Sequence, residues 1–109
     1  SAKLSPQAAL VLVEVIQVLS DSNFKLTVMG HTDGHELGPD LLDNNWELSA
    51  TRAAACLRFI LEHSRVPASR LKAVGYASSR PLVPSTTEAN KAANRRVEFY
   101  FQSPSRADW

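Results

Sequence analysis

Apolar positions first recur at helical spacing over residues 4–19, where Ala8, Leu12, Val15, Ile16 and Leu19 fall on one face. Ser5-Pro6 supplies the start signal, a capping serine followed by proline at the first helical position. Leu10, Val11, Val13 and Val18 are apolar too, which leaves only Gln7, Glu14 and Gln17 as polar positions in the middle. That surplus predicts either a helix buried deeply in the domain, the simpler expectation, or a second face that meets a partner. Asp21-Ser22-Asn23 closes the helix, and residues 24–30 form an apolar, β-prone strand ending in Gly30-His31-Thr32-Asp33. From Gly34 to Asn44 no periodicity remains, and the glycines, proline and acids predict a long surface loop.

A second helix is predicted from about Ala50 to His63, with Ala53, Cys56, Leu57 and Ile60 as its core stripe. Ser49 reads as its cap, which puts Arg52 in the first turn, where the helix dipole favours anions and a cation gains nothing. A locally disfavoured arginine on the border of the core stripe suggests a task at the nearby strand end. Leu71 to Ala77 reads as a strand, and Pro81 and Pro84 bound an extended link. Ser85-Thr86-Thr87-Glu88 has the capping-box pattern for a short helix through about Ala93. In the last strand, Arg95 to Gln102, Val97, Phe99 and Phe101 share a face with Arg95. The order helix, strand, helix, strand, short helix, strand implies an α/β sandwich whose first two strands lie parallel through a right-handed crossover. The direction of the last strand stays open.

At 109 residues the chain is one domain, 1–109, with residues 103–109 read as a frayed tail. A net charge of +1, from 12 basic and 11 acidic residues mixed along the chain, gives no footprint for nucleic acid. The single cysteine, Cys56, sits in an apolar stripe and reads as a small hydrophobe. No apolar run approaches the roughly 18 residues that span a bilayer, and the start Ser1-Ala2-Lys3-Leu4 lacks the order of a signal peptide. A soluble piece of something larger is the expectation.

Three chemistries compete for the polar residues. His31, Asp33, His35 and Glu36 are metal-ligand types within six residues, which makes a zinc hydrolase the enzyme hypothesis, although no HExxH helix or distant His/Cys cluster accompanies them. A Ser/His/Asp triad can be assembled from Ser49 or Ser78 with His31 and Asp33, but there is no GxSxG elbow. The loop acids Glu36, Asp40 and Asp43 lack the order of a calcium loop, so a solvated acidic loop is preferred. The third reading joins Asp33, at a strand tip where open α/β sheets bind ligands, with Arg52: an acid and an arginine together grip a ligand carrying both an ammonium and a carboxylate.

Gly-His-Thr-Asp at 30–33, Asn-x-x-Leu-Ser-x-x-Arg-Ala at 45–53, Val-Pro-Ala-Ser-Arg-Leu-x-x-x-Gly-Tyr at 66–76 and Asn-Arg-Arg-Val-Glu at 94–98 follow in order. Together they resemble the C-terminal domain of the OmpA-like superfamily, which includes Pal lipoproteins and the flagellar stator protein MotB. The resemblance covers about residues 4–101. It implies a mixed sheet packed against two long helices plus one short helix. It also implies non-covalent binding of peptidoglycan through the diaminopimelate of its stem peptide, without enzymatic activity or cofactor, in a periplasmic domain of a membrane-anchored protein. Carried onto this sequence, Asp33 accepts the diaminopimelate ammonium and Arg52 holds its carboxylate, with Thr32, Asn45 and Arg95 as supporting partners. The Asp33 to Arg52 interval, the Asn-Trp-Glu-Leu-Ser run and Arg-Pro-Leu-Val-Pro look more like the stator branch than like a Pal-type outer-membrane anchor, and that branch implies a homodimer. The superfamily's domain also begins with a strand before the first helix, where here only Ser1-Ala2-Lys3 precede Leu4.

Overall fold

The structure, a computed structural model, describes residues 4–35 and 44–105. The first helix, α1, spans Pro6–Ser20; Ser5 caps it, its Oγ accepting the Ala8 N–H at 3.1 Å. Strand β1 is Lys25–His31. Helix α2 is Asn44–His63, and after a 3-10 turn at Ala68–Arg70 strand β2 runs Leu71–Gly75. Helix α3 is Glu88–Asn94 and strand β3 is Arg96–Gln102.

β1 lies in the middle of a three-stranded sheet of order β2-β1-β3 among the described residues. It pairs in parallel with β2, Leu26 opposite Leu71 and Gly30 opposite Gly75, as the crossover argument requires. β3 runs antiparallel to β1, from Lys25 opposite Gln102 to His31 opposite Arg96, and so makes the sheet mixed. Alternation then sends Leu26, Val28 and Gly30 to the face that the two long helices cover. Their core partners are Leu12, Val15 and Leu19 of α1, Ala53, Cys56 and Ile60 of α2, and Val66 and Leu71. Each such leucine or isoleucine taken from water contributes roughly 1.5–3 kcal/mol. Val97, Phe99 and Phe101 close the cluster from β3, as the alternation of the last strand predicts. Burial raises the Cys56 thiol pKa, in keeping with a residue that packs rather than reacts.

Several expectations are corrected. The second helix begins six residues before the predicted Ala50, so Ser49 is no cap and Arg52 stands in the third turn, where the dipole argument has no force. Thr87, not Ser85, caps the short helix, its hydroxyl accepting the Asn90 N–H at 3.1 Å; Ser85 Oγ instead accepts from Asn94 Nδ2 at 2.8 Å. The apolar surplus of α1 is not buried: Leu10, Val11, Val13 and Val18 are exposed. The loop acids Glu36, Asp40 and Asp43, residues 1–3 and the tail from 106 lie outside the described residues.

Long-range polar ties hold the frame where apolar contact is thin. Arg70 donates from Nε to the Phe24 carbonyl at 2.9 Å and from Nη2 to the carbonyls of Leu19 and Ser22 at 2.9 and 3.0 Å, fastening the turn between α1 and β1. Buried Asn94 accepts the N–H groups of Leu82 and Val83 at 2.9 and 3.3 Å and donates to the Val83 carbonyl at 2.8 Å. That knot fixes the point from which Arg95 leaves α3.

Candidate functional site

The polar site gathers where β1 ends. α2 can come close enough to serve it because two glycines lie beneath it. A Cβ on Gly30 would fall on the Ser49 carbonyl oxygen, and one on Gly75 would sit 2.5 Å from the Ala50 nitrogen and 2.7 Å from Ser49 Oγ. The helix therefore rests on bare backbone of the two central strands. Along α2, Asn45, Ser49, Arg52 and Cys56 fall within about 60° of one another at 100° per residue, so one stripe faces the strand tips and the core.

Beyond the paired strands the parallel ladder continues: the Tyr76 N–H donates to the Gly30 carbonyl and the Thr32 N–H to the Ala77 carbonyl, both at 2.9 Å. Ala77 adopts a left-handed φ of 52°, a strained conformation for a side-chain-bearing residue. Its N–H donates to Ser49 Oγ at 3.0 Å, while that hydroxyl donates to the Trp46 carbonyl at 3.0 Å. Ser49 thus ties α2, through Ala77, to Thr32. Sequence reasoning took Ser49 for a cap and passed over Ala77, since no local pattern marks a bond across 28 positions.

Thr32, Asp33 and Asn45 are all buried, Asp33 to 4% exposure. Both carboxylate oxygens of Asp33 are engaged. Oδ1 accepts the His35 N–H at 2.7 Å, in an Asx-type turn, and Oδ2 accepts from Arg95 Nη1 at 2.6 Å. Burial by itself would raise the Asp33 pKa, but the His35 N–H and the Arg95 guanidinium outweigh it and hold the carboxyl below its ordinary range. Arg95 also lines a cleft of about 490 Å³ with Arg52, Arg96, Ser5 and the apolar side chains of Ala8 and Val97. The structure therefore joins Asp33 to Arg95 directly and brings Arg95 and Arg52 to one cleft.

It turns His31 away from the other proposed metal ligands and triad members. His31 is buried on the other face of the sheet, stacked on Tyr76 with ring centroids 5.5 Å apart and 3.7 Å from Glu98 Oε2. Burial, reinforced by Arg96 and opposed by Glu98, lowers its pKa. Asp33 faces Arg95 instead, and no three His, Cys, Asp or Glu side chains among the described residues group as metal ligands; Glu36 lies outside them. Ser49 spends its hydroxyl on Trp46 and Ala77, not on a histidine.

Residues 1–95 match the OmpA family. The chain belongs to that family. It is 33% identical to the Bacillus subtilis (strain 168) protein YtxE over 98 residues, 90% of this chain and 40% of that protein. A solved structure of a MotB-like protein from Desulfovibrio vulgaris superposes with a TM-score of 0.80 at 31% identity, over 94% of this chain and 66% of that one. The peptidoglycan-associated lipoprotein from Burkholderia pseudomallei does so with a TM-score of 0.80 at 26% identity, over 94% and 83%. The chain spans half the length or less of the curated relatives it matches. This OmpA-family domain has no helix among its described residues that is long and apolar enough to cross a membrane.

Proposed function

We propose that this domain binds peptidoglycan non-covalently through the diaminopimelate of the stem peptide, and so anchors a membrane protein to the cell wall from within the periplasm. The observation that carries the reading is the carboxylate of Asp33 at the tip of β1 bonded to Arg95, which lines one cleft with Arg52, in an OmpA-family chain. Asp33 takes the ligand's ammonium, Arg52 its carboxylate, and Thr32, Asn45 and Arg95 support them. Charge-assisted bonds of this kind contribute roughly 1.5–3 kcal/mol each when well placed. The relative from Burkholderia is peptidoglycan-associated by name, and the relationship favours an anchor over a hydrolase. The longer interval between Asp33 and Arg52 favours the stator branch over a Pal-type outer-membrane anchor. On that branch the exposed outer face of α1 serves as a weak contact between two copies.

Co-sedimentation with isolated sacculi tests the reading. Wild type is expected in the pellet, and Asp33→Ala, with one charge-assisted bond removed, is expected to bind roughly 10–100-fold more weakly. Equal sedimentation of the two proteins would refute the role of Asp33, and wall-peptide cleavage abolished by a chelator would put the hydrolase in its place.

A further inference from the structure

The acid that the proposed function assigns to the ligand's ammonium is closed to it. The side chain of Asp33 is 2% exposed, and each of its oxygens already holds a hydrogen bond. One of the two donors, the His35 N–H, belongs to the backbone. The other, Arg95, extends from the C-cap of α3 on a long side chain that is 36% exposed, so it is the donor that can leave. A ligand bringing only an amine would exchange one cation for another at Asp33: one charge-assisted bond is broken for each one made. A ligand bringing an ammonium and a carboxylate on the same carbon ends differently. Its ammonium takes Asp33, and the displaced Arg95 closes on its carboxylate in the cleft that Arg52 also lines.

We propose that Arg95 is the specificity-determining residue of this site, an internal cation that occupies Asp33 until a zwitterionic group exchanges with it. The inference rests on the peptidoglycan reading and deepens it, because it explains how the wall's diaminopimelate is told from a lysine in the same position. Both present an amine at the end of a similar chain, but only the first adds a carboxylate there. Discrimination then comes from a cost imposed on the wrong ligand as well as from a bond made to the right one.

Fluorescence anisotropy with two labelled tripeptides, alanyl-glutamyl-diaminopimelate and alanyl-glutamyl-lysine, tests the proposal. Wild type should prefer the first by roughly 30-fold or more, the worth of one to two well-placed charge-assisted bonds. In Arg95→Gln the preference should fall roughly tenfold, toward what the Arg52 bond alone supplies, and it should do so from both sides, with the diaminopimelate peptide weakened and the lysine peptide strengthened. A merely structural role for Arg95 cannot strengthen either ligand. Arg95→Lys keeps a cation for Asp33 but loses the planar fork, so it should fold as wild type and give an intermediate preference. Parallel weakening of both peptides, or an unchanged preference in both variants, overturns the proposal while the peptidoglycan reading stands. Failure of wild type to bind the diaminopimelate peptide overturns both.

Discussion

The tip of β1 and the outer face of α1 depart from the usual sorting of residues in opposite directions. At the tip, Thr32, Asp33, Asn45 and Ser49 are polar and buried; on α1, Leu10 and Val13 are apolar and 70% and 57% exposed. The tip is dense with long-range bonds, Ser49 to Ala77, Ala77 to Thr32 and Arg95 to Asp33. The outer face of α1 is held through the opposite side of its own helix, where Leu12, Val15 and Leu19 enter the core. Burying a polar group costs several kcal/mol unless its bonds are replaced, so the tip stands only because its groups satisfy one another or a ligand. Exposed apolar side chains incur no such cost, and α1 is free to present them. The first departure is built into the fold, whereas the second is laid upon it.

The largest expected effect would break that contrast if it failed. Gly30→Ala drives a methyl onto the Ser49 carbonyl of α2, a backbone atom that cannot swing aside. Overpacking against backbone should cost about 3 kcal/mol or more, whereas Leu10→Ala on the exposed face should stay within about 0.5 kcal/mol. Urea unfolding of the two variants beside wild type measures both. Equal losses would mean that the helix gives way over Gly30 and that the tip is no more rigid than α1.

What was legible in the sequence follows the same division. The start of α1 was readable from Ser5-Pro6 because a cap and an N1 proline act within one turn. So was the parallel pairing of the first two strands, since a crossover helix of that length leaves little choice. The start of α2 was misread because Ser49 looks like a cap locally, and its bond to Ala77 depends on a fold not yet formed. Asp33 divides the same way: its motif and its strand-tip position could be seen locally, whereas Arg95, 62 residues away, came to the site only through the resemblance, and its direct bond to Asp33 needed the fold. The exposed side of α1 was visible as a surplus of apolar residues, and the expectation that the domain would bury it followed from counting side chains without knowing the area available to cover them.

A smaller effect sharpens the contrast through pH. His31 has a folded-state pKa below its ordinary 6.5, so the unfolded chain binds its proton more readily. Stability should therefore begin to fall as pH drops below about 6.5 and go on falling until the folded-state value is passed. Asp33 is also depressed; its contribution is complete above about pH 3.9 and is lost as pH falls through the folded value. Two separate declines in the urea midpoint are expected between pH 8 and 3, and His31→Gln should remove the upper one while keeping the lower. Survival of the upper decline in that variant would move its origin away from the buried histidine.

The smallest effect concerns α1 alone. Leu10 and Val13 stand three residues apart on one exposed face, with Val11 and Val18 beside them. A two-fold contact is self-complementary, so one apolar helix face can meet its own copy. Four side chains on a single helix fall short of the roughly 1,200–2,000 Å² that a stable interface buries, so the expected dimer is weak, with dissociation in the range of about 0.1–1 mM. Sedimentation equilibrium over rising concentration should show it in wild type and not in Val13→Glu, whose unfolding free energy in urea should change by no more than about 0.5 kcal/mol because the position is solvated in the monomer. If wild type stayed a monomer at millimolar concentration, the outer face of α1 would have no copy of itself to meet. The contrast between the two regions would then lie in their bonding alone, the tip tied by long-range hydrogen bonds and the outer face of α1 tied to no copy of this chain.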